Sequence, residues 1–185
     1  MYVCNCGMTC QGRKPVLITG KEQDEILEDT MNALEYALGD PESKWGSLRT
    51  RMGHREPFHL TYLEIGNENF GPDYEERYRR FYDVIKEKYP HLKVVANAHI
   101  EKHDCVTEYV DEHFYNSTEF FAENQNYYAD YDRKGPKIFV GEYAVTAGEY
   151  PSSLAAALGE GAFLTGIERN QDIVELTSYA PMLLN

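Results

Sequence analysis

Positive charge is scarce in this sequence: 18 Lys and Arg stand against 31 Asp and Glu, a formal net charge of −13. Phosphate backbones and anionic bilayers recruit a basic footprint, so neither nucleic acid nor a membrane surface is expected as a partner. No run of 18 apolar residues occurs, which leaves no segment to cross a bilayer as a helix. The first 20 residues lack the basic stretch followed by an apolar one that marks a secretory leader, and a cytoplasmic location is the expectation. Cysteine is limited to Cys4, Cys6, Cys10 and Cys105. The spacing C-x-C-x3-C matches neither a zinc ribbon nor a C-x-x-C redox pair, so these read as reduced thiols on or beside a buried strand. No GxGxxG or GxxxxGK[ST] loop follows any strand-like run, which removes the common nucleotide-binding signatures. No cofactor is expected.

What remains is a globular composition. Across 185 residues, 42% are apolar, enough for one sizeable core and one domain spanning 1–185. Fifteen tyrosines against one tryptophan supply rings that both stack and hydrogen-bond, a set suited to a polar, ring-shaped ligand such as a sugar, although many must simply pack.

The chain alternates short apolar runs with longer amphipathic ones. Strand-like runs cover Met1 to Thr9, Tyr62 to Gly66, Leu92 to Ala96, Val110 to Tyr115, Lys137 to Val140 and Ile173 to Ser178. Helical spacing covers Lys21 to Leu38, Tyr74 to Tyr89, Ser117 to about Arg133, and Ser152 to Ile167. The stretch from Glu42 to Phe58 reads as a long polar connection, and Gly159 and Gly161 should weaken the last helix. Such a β–α–β–α progression implies parallel strands with helical crossovers. An open doubly wound sheet and a barrel both satisfy it, and in either the chemistry gathers at the C-terminal strand ends.

Polar residues collect there: Asn67-Glu68, Asn97-Ala98-His99, His113-Phe114-Tyr115 and Glu142-Tyr143. Glu68 and Glu142 occupy matching settings, each after a strand and a glycine (Ile65-Gly66-Asn67-Glu68 and Val140-Gly141-Glu142). In a closed barrel both would reach the central mouth. Two carboxyl groups across a sugar are what glycosidic cleavage needs, one to protonate the leaving oxygen and one to attack C1 or activate water. Structural carboxylates at strand ends are the alternative. Asn67 beside Glu68 could bind a hydroxyl, and Tyr115 and Tyr143 could orient a ring. Glu64 points the same way but deeper, and reads as a structural pairing. His99 and His103 in "HIEKH" lack the HExxH order of a metalloprotease and a third ligand, so no metal is expected. His54 reads as a loop-structuring residue, Trp45 as a loop anchor, and Arg169-Asn170 as a helix-end pin.

Four stretches, "YLEIGNENFGPDYEERYRRFYDVIKEKYP", "VDEHFY", "GPKIFVGEYAV" and "FLTGIERNQDIVELTSYAPMLLN", resemble the α-L-arabinofuranosidases of glycoside hydrolase family 51. With the segment before them, the resemblance extends over roughly Gly7 to Asn185. It implies a retaining glycosidase on a (β/α)8 TIM barrel, here incomplete, with about six βα units corresponding to strands three to eight. It also implies Glu68 as general acid/base, Glu142 as nucleophile, and Asn67, His113 and Tyr115 as residues lining the sugar site. The substrate would be an arabinose-containing oligosaccharide or polysaccharide. A full barrel takes about 250 residues. The chain therefore reads as a fragment, a truncated gene product or a remnant, inactive and poorly soluble by itself, with a homo-oligomer as one way to complete the barrel. Two rivals remain: a non-catalytic fragment of such an enzyme, and an endo-acting β-glucanase on a similar barrel.

Overall fold

The computed structural model describes residues 1–10, 16–99, 107–148 and 152–180, and the chain divides into two compact units, Met1–Thr107 and Glu108–Asn185. The first unit runs β1 (Tyr2–Cys4), α1 (Lys21–Leu38), α2 (Lys44–Arg51), β2 (Tyr62–Ile65), α3 (Pro72–Lys88) and β3 (Lys93–Ala96). β1 pairs with β2 and β2 with β3, both in parallel, with Cys4 opposite Ile65 and Ile65 opposite Ala96. Alternation along the strands sorts their side chains. Leu63, Ile65, Val94 and Ala96 join the core with Tyr74, Tyr78, Phe81 and Ile85 of α3, whereas Glu64, facing Val95 in register, lies on the opposite face. Pro72 at the start of α3 supplies a preset φ and lacks only an N–H that would have no helical partner.

The stretch between Glu42 and Phe58, expected as a long polar connection, contains α2. Ser43 caps it by accepting from the Gly46 N–H. The fully buried Arg49 then donates to the carbonyl oxygens of Tyr36, Gly39, His54 and Arg55. A buried guanidinium is costly unless its fork of donors is filled. Here four carbonyls fill it and the loop closes around the side chain.

The second unit runs β4 (Tyr109–Ser117), α4 (Thr118–Glu123), β5 (Lys137–Ala147), α5 (Leu154–Arg169) and β6 (Val174–Tyr179). β4 pairs with β5 and β5 with β6, again in parallel. Val110, Ile138, Val140, Tyr143 and Val145 pack against Phe121, Phe163 and Ile167. The helix expected from Ser117 to Arg133 begins at its Ser117 cap but ends after six residues. Arg133 draws the backbone into turns instead, donating to the carbonyls of Tyr128 and Tyr131. The hydroxyls of those tyrosines donate to Glu112, and burial with that acid raises both phenols. Asn170 pins the end of α5, donating to the Gly166 carbonyl and accepting from Arg133.

Both units thus have the βαβ succession with parallel strands that was expected. Among the described residues no helix is long and apolar enough to cross a membrane.

Candidate active site

In the first unit the chain leaves β2 through Gly66, whose φ of 84° is left-handed. A Cβ there would stand 2.7 Å from both Asn69 Oδ1 and Asn97 Oδ1, so only glycine fits. Asn69 is fully buried and organises the turn. Its Oδ1 accepts from the Asn67 N–H and from the Cys6 thiol, and its Nδ2 donates to the Thr9 carbonyl. Asn67 is left exposed and Glu68 half-buried.

Glu68 has φ of 52° and is the one non-glycine residue with positive φ among the described residues. A left-handed L-residue costs on the order of 1–2 kcal/mol, and such strain gathers at sites where side-chain direction matters more than stability. The Cys10 thiol donates to Glu68 Oε2 at 2.6 Å. Glu64, four residues earlier within β2, is buried and accepts from Asn97 Nδ2 at 2.6 Å, the structural pairing its position suggested.

In the second unit β4 presents Asp111, His113 and Tyr115 on one face. The Tyr115 hydroxyl donates to Glu142 Oε2, and His113 Nδ1 lies 3.5 Å from the same oxygen. His113 Nε2 contacts Asp111 Oδ2 at 2.7 Å, and Asp111 Oδ1 accepts from the Gly141 N–H at 2.8 Å. The structure therefore groups three of the residues singled out from sequence, His113, Tyr115 and Glu142, and places Asn67 and Glu68 together on the β2 turn.

Two residues of these groups were missed by sequence reasoning. Asp111 is buried, and the signal was its place two residues before His113. Cys10 had been read with the others as a reduced thiol on or beside a buried strand. For Cys4 and Cys6 burial does push the thiols up, to about 12 and about 11. Cys10 differs because it faces a carboxylate across a loop, which no local spacing reveals.

The remaining candidates behave structurally. His54 stacks on Phe58 with centroids 4.2 Å apart, and its Nδ1 contacts the Glu56 carbonyl. Trp45 donates to Asn32 Oδ1 across α1 and α2. His99 is exposed, and His103 and Cys105 lie outside the described residues.

Comparison with known proteins gives the chain a family context. Residues 1–133 match the family profile described as the alpha-L-arabinofuranosidase 1 domain, and residues 141–185 match the alpha-L-arabinofuranosidase C-terminal domain. An extracellular exo-alpha-L-arabinofuranosidase of Streptomyces chartreusis is 41% identical over 92% of this chain and 23% of its own length. Alpha-L-arabinofuranosidase 1 of Arabidopsis thaliana is 44% identical over 86% of this chain and 24% of its own length. The chain thus spans about a quarter of these relatives. An arabinose-bound family 51 α-L-arabinofuranosidase superposes over 99% of this chain and 32% of its own, at a TM-score of 0.84 and 29% identity. The arabinose complex of the Thermotoga maritima enzyme shares the fold over 83% of the chain, at a TM-score of 0.67 and 21% identity. The fold is accordingly α/β of the (β/α)8 type, incomplete, with six strands among the described residues. The cytoplasmic expectation is corrected by the Streptomyces relative, which is named extracellular. That expectation came from the first 20 residues of a chain matching a quarter of its relatives, and such a stretch carries no information about compartment.

Proposed function

The chain belongs to the α-L-arabinofuranosidases of glycoside hydrolase family 51, and on that premise we propose that it serves the retaining hydrolysis of terminal α-L-arabinofuranosyl residues in arabinose-containing oligosaccharides or polysaccharides. Residues 1–185 belong to one catalytic barrel domain in this reading. Glu142 attacks the anomeric carbon, and Glu68 first protonates the departing glycosidic oxygen and then takes a proton from the water that releases the sugar. Asn67 binds a sugar hydroxyl beside the reacting carbon.

The observation that carries the reading is the setting of Glu142. One of its oxygens receives the Tyr115 hydroxyl and faces His113, a setting that holds a nucleophile in one orientation. Asn67 stands exposed beside Glu68, open to a hydroxyl. A neutral glycan suits the acidic composition, and neither nucleic acid nor a membrane belongs to the reading; a homo-oligomer is compatible with it.

The test is hydrolysis of p-nitrophenyl α-L-arabinofuranoside by the intact protein, with proton NMR of the first-formed sugar. Release of α-L-arabinofuranose supports the proposal. First appearance of the β-anomer, or cleavage of β-glucan with none of the arabinofuranoside, overturns it.

Cys10 gives the proposal a pH signature. The alkaline limb of kcat/KM follows loss of the proton from the general acid. A thiol donating to Glu68 favours the ionised carboxylate, so without it the proton is held more tightly. Cys10→Ala should therefore move the alkaline limb upward. Cys10→Ser, which keeps a donor, should shift it less. A limb that stays in place or moves down in Cys10→Ala would show that the thiol does not act on the general acid.

A further inference from the structure

Between Asp111 and His113 the β4–β5 register slips. Asp111 is opposite Phe139, yet His113, two residues on, is opposite Glu142, three residues on. The other neighbour reports the same slip, since β6 advances from Thr177 to Tyr179 while β5 advances from Val140 to Tyr143. The extra residue therefore belongs to β5, and it forms a β-bulge around Gly141. Side chains confirm the change of face: Ile138 and Val140 pack in the core before the bulge, and Tyr143 and Val145 pack there after it. An unbroken strand would turn Glu142 into that core and leave Gly141 on the face of His113 and Tyr115. With the bulge, Glu142 lies on their face. Bulges beside active sites re-aim side chains in this way.

A bulge strands a backbone donor, and here Asp111 takes it. Its Oδ1 accepts the buried Gly141 N–H, and its Oδ2 holds His113 Nε2. The Asp111 side chain is only 3% exposed. A Cβ on Gly141 would fall 2.2 Å from Asp111 Oδ1, so this position accepts the carboxylate only because it lacks a side chain.

We infer that Asp111 is a positioning residue for the nucleophile: it locks the bulge that turns Glu142 toward the substrate, and it fixes His113 with Nε2 protonated and Nδ1 facing Glu142. This deepens, and rests on, the assignment of Glu142 as the nucleophile. An ionised carboxylate only accepts hydrogen bonds, so the His113 nitrogen that meets it must carry the proton. Asp111 thus resembles the carboxylate that orients a catalytic imidazole in serine hydrolases, although here the imidazole abuts a nucleophilic carboxylate.

Two variants separate the roles. In Asp111→Asn the amide oxygen can still accept the Gly141 N–H, because the amide nitrogen would oppose donor to donor there. Its NH2 group then faces His113 Nε2 and drives the ring proton to Nδ1. Asp111→Ala removes both bonds. In the intact protein, amide hydrogen exchange at Gly141 should speed up about tenfold or more in Asp111→Ala and much less in Asp111→Asn. The 15N shifts of His113 should report a protonated Nε2 in the wild type and an unprotonated one in Asp111→Asn. Misplacement of a reacting group by about 1 Å costs on the order of 100-fold, so kcat for aryl arabinofuranosides should fall by about that factor in Asp111→Ala, with little change in KM.

Unaltered Gly141 exchange in Asp111→Ala, or an unprotonated Nε2 in the wild type, overturns the inference whatever the activity. If Glu142→Ala abolishes turnover while Asp111→Ala retains wild-type kcat, Asp111 does not position the nucleophile and the functional reading stands. If Glu142→Ala keeps full turnover, the functional reading falls and the claim on the nucleophile falls with it. The exchange and tautomer measurements then still decide whether Asp111 locks the bulge.

Discussion

Glu142→Ala should lose turnover of p-nitrophenyl α-L-arabinofuranoside by about 10,000-fold or more, the scale at which removal of a nucleophile leaves only binding and residual electrostatics. Azide should restore part of the rate, because the small anion can occupy the space of the missing carboxylate and attack the anomeric carbon from that side. The product should then be the β-configured arabinofuranosyl azide, inverted relative to substrate. Glu68→Ala should behave differently in two respects. Its loss should be smaller for p-nitrophenolate, which leaves without a proton, than for a natural glycan, whose leaving oxygen needs one. Azide added to Glu68→Ala should yield the α-configured azide, since the arabinosyl intermediate on Glu142 still forms and is then opened from the opposite face. The anomeric configuration of the azide, read by NMR, thus assigns the two carboxyl groups independently of rate. The same azide anomer from both variants would sink the division of labour, and full activity in either would remove that residue from the chemistry.

The settings of these two glutamates differ in how far they could be read in advance. The strands before them were legible, because Leu63 and Ile65 alternate around Glu64 and Ile138-Phe139-Val140 is an apolar run, both bounded by turn residues. The glycines were legible as punctuation, and Gly66 takes a left-handed turn there. Gly141 misled. It looked like a strand end, yet β5 continues through it to Ala147, and its role is to accommodate an acid from the neighbouring strand. A bulge is a relation between two strands, so the pattern of one strand cannot contain it. Asp111 escaped for the same reason: its partner Gly141 lies on the neighbouring strand, and only His113 shares its own.

Helix α2 was missed on physical grounds of another kind. Its residues, Lys44 to Arg51, are mostly polar, and its buried anchor is an arginine rather than an aliphatic side chain. A hydrophobic period cannot announce a helix organised by a guanidinium among carbonyls. The helix after Ser117 was legible at its cap and illegible at its end, where Arg133 captures two carbonyls at the far side of a turn. Caps are local and so can be read; terminations of this kind depend on a residue ten or more positions away.

The three glycines of α5 show what the same limitation means energetically. From sequence, each interior glycine costs a helix roughly 1 kcal/mol relative to alanine, which makes Gly159 and Gly161 look like equal defects. Their surroundings are unequal. Around Gly161 nothing lies within 4 Å of an added Cβ. At Gly159 the Cβ would stand 2.8 Å from the Thr118 carbonyl oxygen, and at Gly166 it would stand 1.9 Å from that of Gln125 and 2.7 Å from its carbonyl carbon. Backbone atoms cannot rotate away as a side chain does, so Gly166→Ala must push α5 off the segment that follows α4. Phe163 of α5 is packed with Phe121 and Tyr128 at centroid distances of 5.3 and 6.3 Å, and that contact opens when the backbones separate. Overpacking of a well-filled core costs about 1–3 kcal/mol and more when the obstacle is rigid, so Gly166→Ala should destabilise by about 3 kcal/mol or more. Gly161→Ala should stabilise by about 0.5–1 kcal/mol, the gain in helix propensity with no contact to offset it. Gly159→Ala should fall between, its propensity gain offset by the crowding at Thr118. Denaturant midpoints of the three variants in the intact protein measure the series. Equal shifts of one sign would mean that α5 lies farther from Thr118 and Gln125 than these distances require, and that its glycines are the plain helix defects the sequence suggested.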